Sequence, residues 1–140
     1  MDTELFTQIN WLAVLAAGVA YFLLGAIWYS LLFKNAWIRA SGVNPNDPNM
    51  KTGVAGIMFT SLVLMIIASI GLALLLTKIP SAGWMTGLKL GLVVGICFSA
   101  TGISISYLYE KKPFGLHLIN GLYHIVGCAI AGIVLTAWPW

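Results

Sequence analysis

Four long apolar runs, separated by short polar breaks, make up nearly the whole chain. The runs cover 10–33, 53–77, 84–108 and 114–137. Each is longer than the roughly 20 residues an α-helix needs to cross a hydrocarbon core of about 30 Å. They are apolar on every face, which predicts helices and not the short two-faced strands of a barrel. The expected fold is all-α: a polytopic membrane protein, one domain over 1–140, with four transmembrane helices in an up-down bundle joined by short loops.

The breaks carry turn chemistry. Gly42, Asn44, Pro45, Asn46, Asp47 and Pro48 crowd the first one, so the segment from Asn35 to Thr52 is expected to be a solvated connector. Asp47 lacks the alternating oxygen ligands of a calcium loop. Lys78, Pro80 and Gly83 make a short turn before the third helix, and Pro113 stands where a fourth helix would start, a position that tolerates its missing N–H.

Composition agrees with the pattern: hydrophobic residues are 60% and charged residues 8% of the chain, against about a quarter charged in a soluble domain. The net charge of +3 does not point to nucleic acid, because the basic residues are scattered and form no face. The lipid bilayer is the expected partner. Charge instead reports orientation. Lys34, Arg39, Lys51, Lys111 and Lys112 flank the first and third loops, while only Lys78 and Lys89 belong to the other side. The positive-inside rule then puts loops 34–52 and 109–113 in the cytoplasm and both termini outside the cytoplasmic membrane. Asp2 and Glu4 precede the first run where a signal peptide would carry a basic segment, so that run is expected to remain as a span.

Within the spans, Gly87, Gly91, Gly95 and Ser99 recur at steps of four. Such a stripe lets helix backbones approach closely in lipid, within the subunit or between copies. A homo-oligomer formed through the third helix is the expectation. Alanines at 13, 16, 17 and 20 give the first helix a similar small face. Lys89 lies within reach of the nearer membrane surface, to which its long side chain can snorkel.

The remaining polar groups gather at one depth. Trp28, Tyr29 and Ser30 from the first helix, Thr101 and Ser104 from the third, and Asn120, Tyr123 and His124 from the fourth all map to the cytoplasmic half, joined by Thr60 and Ser61 from the second. Polar side chains in lipid are costly unless they face inward and pair. A polar cluster or vestibule open to the cytoplasm follows, with Arg39, Glu110 and Lys112 near its mouth.

His117, Asn120, His124 and Cys128 share one face of the fourth helix. Two turns separate the histidines, and there is no Cys-x-x-Cys or His-Glu-x-x-His pattern, so neither metal nor haem is expected and no cofactor is implied. No acid sits beside His124 to orient it as a base, which leaves catalysis without its parts. Cys97 and Cys128 both fall near the midplane as reduced thiols.

Several short motifs, namely Ile9 to Ala13 (INWLA), Gly25 to Ser30 (GAIWYS) with Phe33 and Trp37, and Tyr109-Glu110, Lys112-Pro113, Ile119, Tyr123-His124 and Gly132, resemble the small four-helix bacterial membrane family catalogued as domain of unknown function 1761. The resemblance implies the four-helix architecture and a bacterial inner membrane, and it implies no activity. Members often carry Tyr-Ser-Pro where this chain has Tyr29-Ser30-Leu31, and glycine where Lys34 stands.

Two function classes fit these residues. One is a non-catalytic accessory, interaction or structural subunit whose buried polar cluster specifies helix packing. The other is a small oligomeric transporter or channel for a small solute or proton. Either leaves room for a small-molecule or lipid ligand. The spans contain no carboxylate, which favours the first class, since proton-coupled transporters usually need one.

Overall fold

The computed structural model describes residues 4–44, 46–80 and 83–138. Asp2 and Pro45, used in the sequence reading, lie outside them. A short helix α1 (Glu4–Thr7) leads into α2 (Trp11–Ile27). Asn10 caps α2, its side-chain oxygen accepting from the amides of Leu12 and Ala13 at 3.1 and 3.2 Å. That satisfies donors the helix cannot pair itself and contributes about 1 kcal/mol.

The first span closes in a π-helical turn over Trp28–Leu32, marked by the Phe33 amide donating to the Trp28 carbonyl at 2.8 Å. Phe33 then leaves helical geometry at φ −126°, ψ 20°. Leu31 stands where the resembled family often has proline, so here the break is made by the wider π turn and by Phe33.

The segment after it is not a plain connector. Lys34–Ser41 form helix α3, which lies against the fourth span through Ala36, Trp37 and Ala40. The apolar side of this single amphipathic stretch finds cover, and that overrides the turn chemistry which follows it. Gly42 ends α3 with φ 74°, its amide donating to the Ile38 carbonyl at 3.2 Å. Asp47 caps a short 3₁₀ turn (Pro48–Lys51) by accepting from the Asn49 amide at 2.9 Å.

The second span is α4 (Val54–Leu76); the third joins α5 (Trp84–Val94), a π turn (Gly95–Ala100) and α6 (Thr101–Tyr109); the fourth is α7 (Phe114–Ala137). These are four helices long and apolar enough to cross a membrane, and their limits agree with the runs read from the sequence to within a residue or two. Between the third and fourth, Lys111 turns the chain at φ 57° while the Lys112 amide donates to the Tyr107 carbonyl at 2.9 Å. No strand occurs among the described residues.

The fourth span is the most enclosed and sits between the first and the third, and the first also packs on the second. The second and third meet chiefly through α5, near the end that carries the termini. They diverge toward the other end, which holds α3 and the Lys111 turn. A mostly aliphatic core of Ile9, Ala13, Val14, Ala17, Leu72, Ala73, Ala131 and Leu135 fills the terminal end. A more aromatic core of Tyr21, Trp28, Ile119, Tyr123 and Cys128 fills the loop end.

The glycine stripe of the third span faces the fourth span of the same chain. Gly87 meets the Gly132 backbone directly, and a β-carbon on Gly91 or Gly95 would fall 2.7 Å from the α-carbon of Ala129 or Ile125. A contact between copies would therefore use another face of the third span.

Candidate functional site

The loop-end core is a hydrogen-bonded aromatic cluster. Asn120, buried on α7, is its hub: its side-chain carbonyl accepts from the Tyr29 hydroxyl at 2.5 Å, and its amide donates to the Tyr107 hydroxyl at 2.6 Å. One side chain thus ties the first, third and fourth spans together. Both ends of the amide are satisfied, as a polar group at this depth requires.

Trp28 points its indole N–H at the Ile119 carbonyl, 3.1 Å away. Tyr123 donates to the Tyr21 carbonyl at 3.2 Å and lies edge-on to the rings of Tyr21 and Tyr29, with centroids 5.5 and 5.2 Å apart. Trp37 of α3 adds an edge contact to Tyr29 at 5.9 Å. These rings occupy the space where the sequence suggested an open vestibule.

A second pair lies deeper. The Tyr21 hydroxyl is 2.5 Å from His124 Nδ1. Gly127 makes room for it: a β-carbon there would fall 2.7 Å from Tyr21 Cδ1. Nearby, Ser99 Oγ lies 3.8 Å from Cys128 Sγ. Among the described residues every buried side-chain nitrogen and oxygen has a partner.

Of the residues singled out from the sequence, the structure brings together Trp28, Tyr29, Asn120, Tyr123 and His124. It does not bring Ser30 or Thr101 to them. Ser30 is exposed, and exposed Thr101 donates to the Cys97 carbonyl of its own helix at 2.7 Å. Ser104 is half-buried, and Ser61 borders a groove described below. Arg39, Glu110 and Lys112 are exposed at the loop end. His117 packs on Tyr107 and Phe114, with ring centroids 5.4 and 6.3 Å apart, away from His124.

Two members of the cluster were not singled out. Tyr21 sits seven positions before Trp28, two turns along the same helical face, and was hidden by the alanines around it. Tyr107 lies on the third helix at the depth of Asn120. Cys97 and Cys128 are free thiols, and no group of three or more metal-ligating side chains occurs among the described residues.

Four apolar spans around an inward-facing polar cluster define a multi-pass membrane protein of the helical-bundle class. Within that class the chain belongs to the family described as "Protein of unknown function (DUF1761)", whose model matches residues 12–136. No curated protein and no solved structure matches it.

Proposed function

We propose that this protein is a non-catalytic accessory or interaction subunit whose aromatic cluster fixes the arrangement of its four spans. One observation carries the reading: Asn120 is buried, and both hydrogen bonds its side chain makes stay inside the chain, to Tyr29 and Tyr107. A group that must bind and release a solute needs to face open space, whereas this hub is held from two sides in the core and borders neither groove of the bundle. The lack of any carboxylate within the four spans supports the same reading. In this proposal the loop end, with Lys34, Arg39, Lys51, Lys111 and Lys112, faces the cytoplasm and both termini lie outside.

The alternative is a small oligomeric transporter of a solute or proton. It is favoured by His124, half-buried and bonded to Tyr21, which borders open space. Flux in proteoliposomes separates the two. Equal background flux of small solutes and protons for wild type, His124→Ala and Asn120→Ala is the expected result. Wild-type flux above background that is lost in His124→Ala would overturn the accessory reading.

A further inference from the structure

Where the second and third spans diverge they leave a groove of about 310 Å³, open on one side. Tyr21 and His124 lie at its base, Ser61 and Ser99 add hydroxyls from either side, and Leu64 and Ile103 supply aliphatic wall. The volume falls at the lower end of the range for small-molecule sites. Its opening faces the bilayer: Leu64 on its wall is 59% exposed, and Phe98, one residue from Ser99, is 70% exposed.

His124 is the chemically informative wall. Its Nδ1 is engaged by Tyr21, and its Nε2 has no hydrogen-bond partner among the described residues. Among the described residues no buried side-chain nitrogen is orphaned, so Nε2 reaches open space, and His124 borders this groove. A phenol donates more readily than a neutral imidazole. With Tyr21 as the donor into Nδ1, the imidazole proton sits on Nε2, available to an acceptor in the groove.

We propose that this groove binds a lipid-soluble molecule whose carbonyl oxygen accepts a hydrogen bond from His124 Nε2 while its hydrocarbon part lies between the second and third spans. The groove sits at about the depth of His124, roughly 15 Å from the start of the fourth span by the helical rise. A ligand arriving through the bilayer reaches it without crossing the packed aromatic cluster. A carbonyl on an apolar chain can come from a quinone or from an acyl ester, and the two sources are separable by experiment.

The full chain in dodecyl maltoside, a detergent without a carbonyl, is titrated with decylbenzoquinone and with methyl palmitate, each labelled with ¹³C at the carbonyl; hexadecane is the tail-only competitor. At least one carbonyl probe should bind saturably at one equivalent with a shifted ¹³C resonance, and the one that binds names the source. His124→Phe should weaken binding about tenfold, the loss of one hydrogen bond. Ala68→Trp, an exposed position on the groove wall, should abolish binding by filling the space. It keeps the test decisive should His124→Phe fail to fold. No saturable binding of either carbonyl probe would overturn the proposal. So would unchanged affinity in a folded His124→Phe, or displacement by hexadecane as effective as by the carbonyl probe itself. Binding is read here without flux, so failure of this site leaves the transport measurement intact.

Discussion

The Tyr29 hydroxyl donates to the Asn120 side-chain carbonyl at 2.5 Å, joining the π turn that ends the first span to the second turn of the fourth. Asn120 also holds Tyr107, so losing the tyrosine and losing the asparagine are different injuries. Tyr29→Phe removes one donor and leaves a lone pair that the amide can bear. It should cost about 0.5–1.5 kcal/mol, the scale of interhelical hydrogen bonds in membranes. Asn120→Leu strands two phenols at once and should cost more, about 1–3 kcal/mol per unsatisfied group. Reversible unfolding in mixed micelles measures both. Equal losses would mean that Tyr107 draws nothing from Asn120.

The interface of the third and fourth spans predicts a contrast between glycines. At Gly91 a β-carbon would collide with the backbone of Cys128 and Ala129, which cannot yield as a flexible side chain can, whereas Gly71 and Gly102 have nothing within 4 Å. Gly91→Val should separate the helices and cost more than about 3 kcal/mol. Gly71→Ala and Gly102→Ala should be neutral or slightly stabilising, since alanine is the better helix former. The same unfolding assay reads all three. A harmless Gly91→Val would show that these spans do not pack as described.

Span limits were legible because hydrocarbon thickness acts on bulk apolarity, which composition alone reports. Depth was legible for the same reason, so Trp28, Tyr29, Asn120, Tyr123 and His124 could be grouped before any contact was known. Depth does not fix direction around a helix, and Thr101 shows the cost: its hydroxyl is satisfied by the Cys97 carbonyl one turn back, so it needs no partner helix. Tyr21 was missed for the converse reason, its bulk concealed among alanines although its spacing to Trp28 pointed inward. The glycine spacing announced close approach without naming the partner, because residues 87, 91 and 95 would look the same against a second copy. Helix α3 was obscured by the turn residues after it, although Ala36, Trp37 and Ala40 repeat at helical spacing.

Gly42 ends α3 in the left-handed region at φ 74°, with open space around it. The need is conformational and not steric, so any side chain there strains the backbone. Gly42→Ala should destabilise the docked α3 by about 1 kcal/mol, while Gly42→Asn, which tolerates this region, should cost less. Limited proteolysis between Ser41 and Thr52 reads the local effect, with faster cleavage in the order wild type, Asn, Ala. Identical cleavage rates would mean that the turn after α3 does not hold its end.

Orientation is testable through the unequal distribution of basic residues. Arg39 on α3 and Lys78 after the second span are both exposed, and they lie at opposite ends of the bundle. Inward retention of positive loops assigns Arg39 to the cytoplasm and Lys78 to the outside. The chain's own thiols lie within the spans, Cys97 on the lipid-facing side and Cys128 in the core. Replacing both with serine or alanine gives a clean background for Arg39→Cys and Lys78→Cys. A membrane-impermeant maleimide added to intact cells should label Lys78→Cys and spare Arg39→Cys, which should react only after permeabilisation. Arg39→Cys removes one of the five charges on its side and Lys78→Cys one of the two on the other, so the bias is preserved in both variants. The reverse labelling would invert the bundle, turning the aromatic cluster toward the exterior.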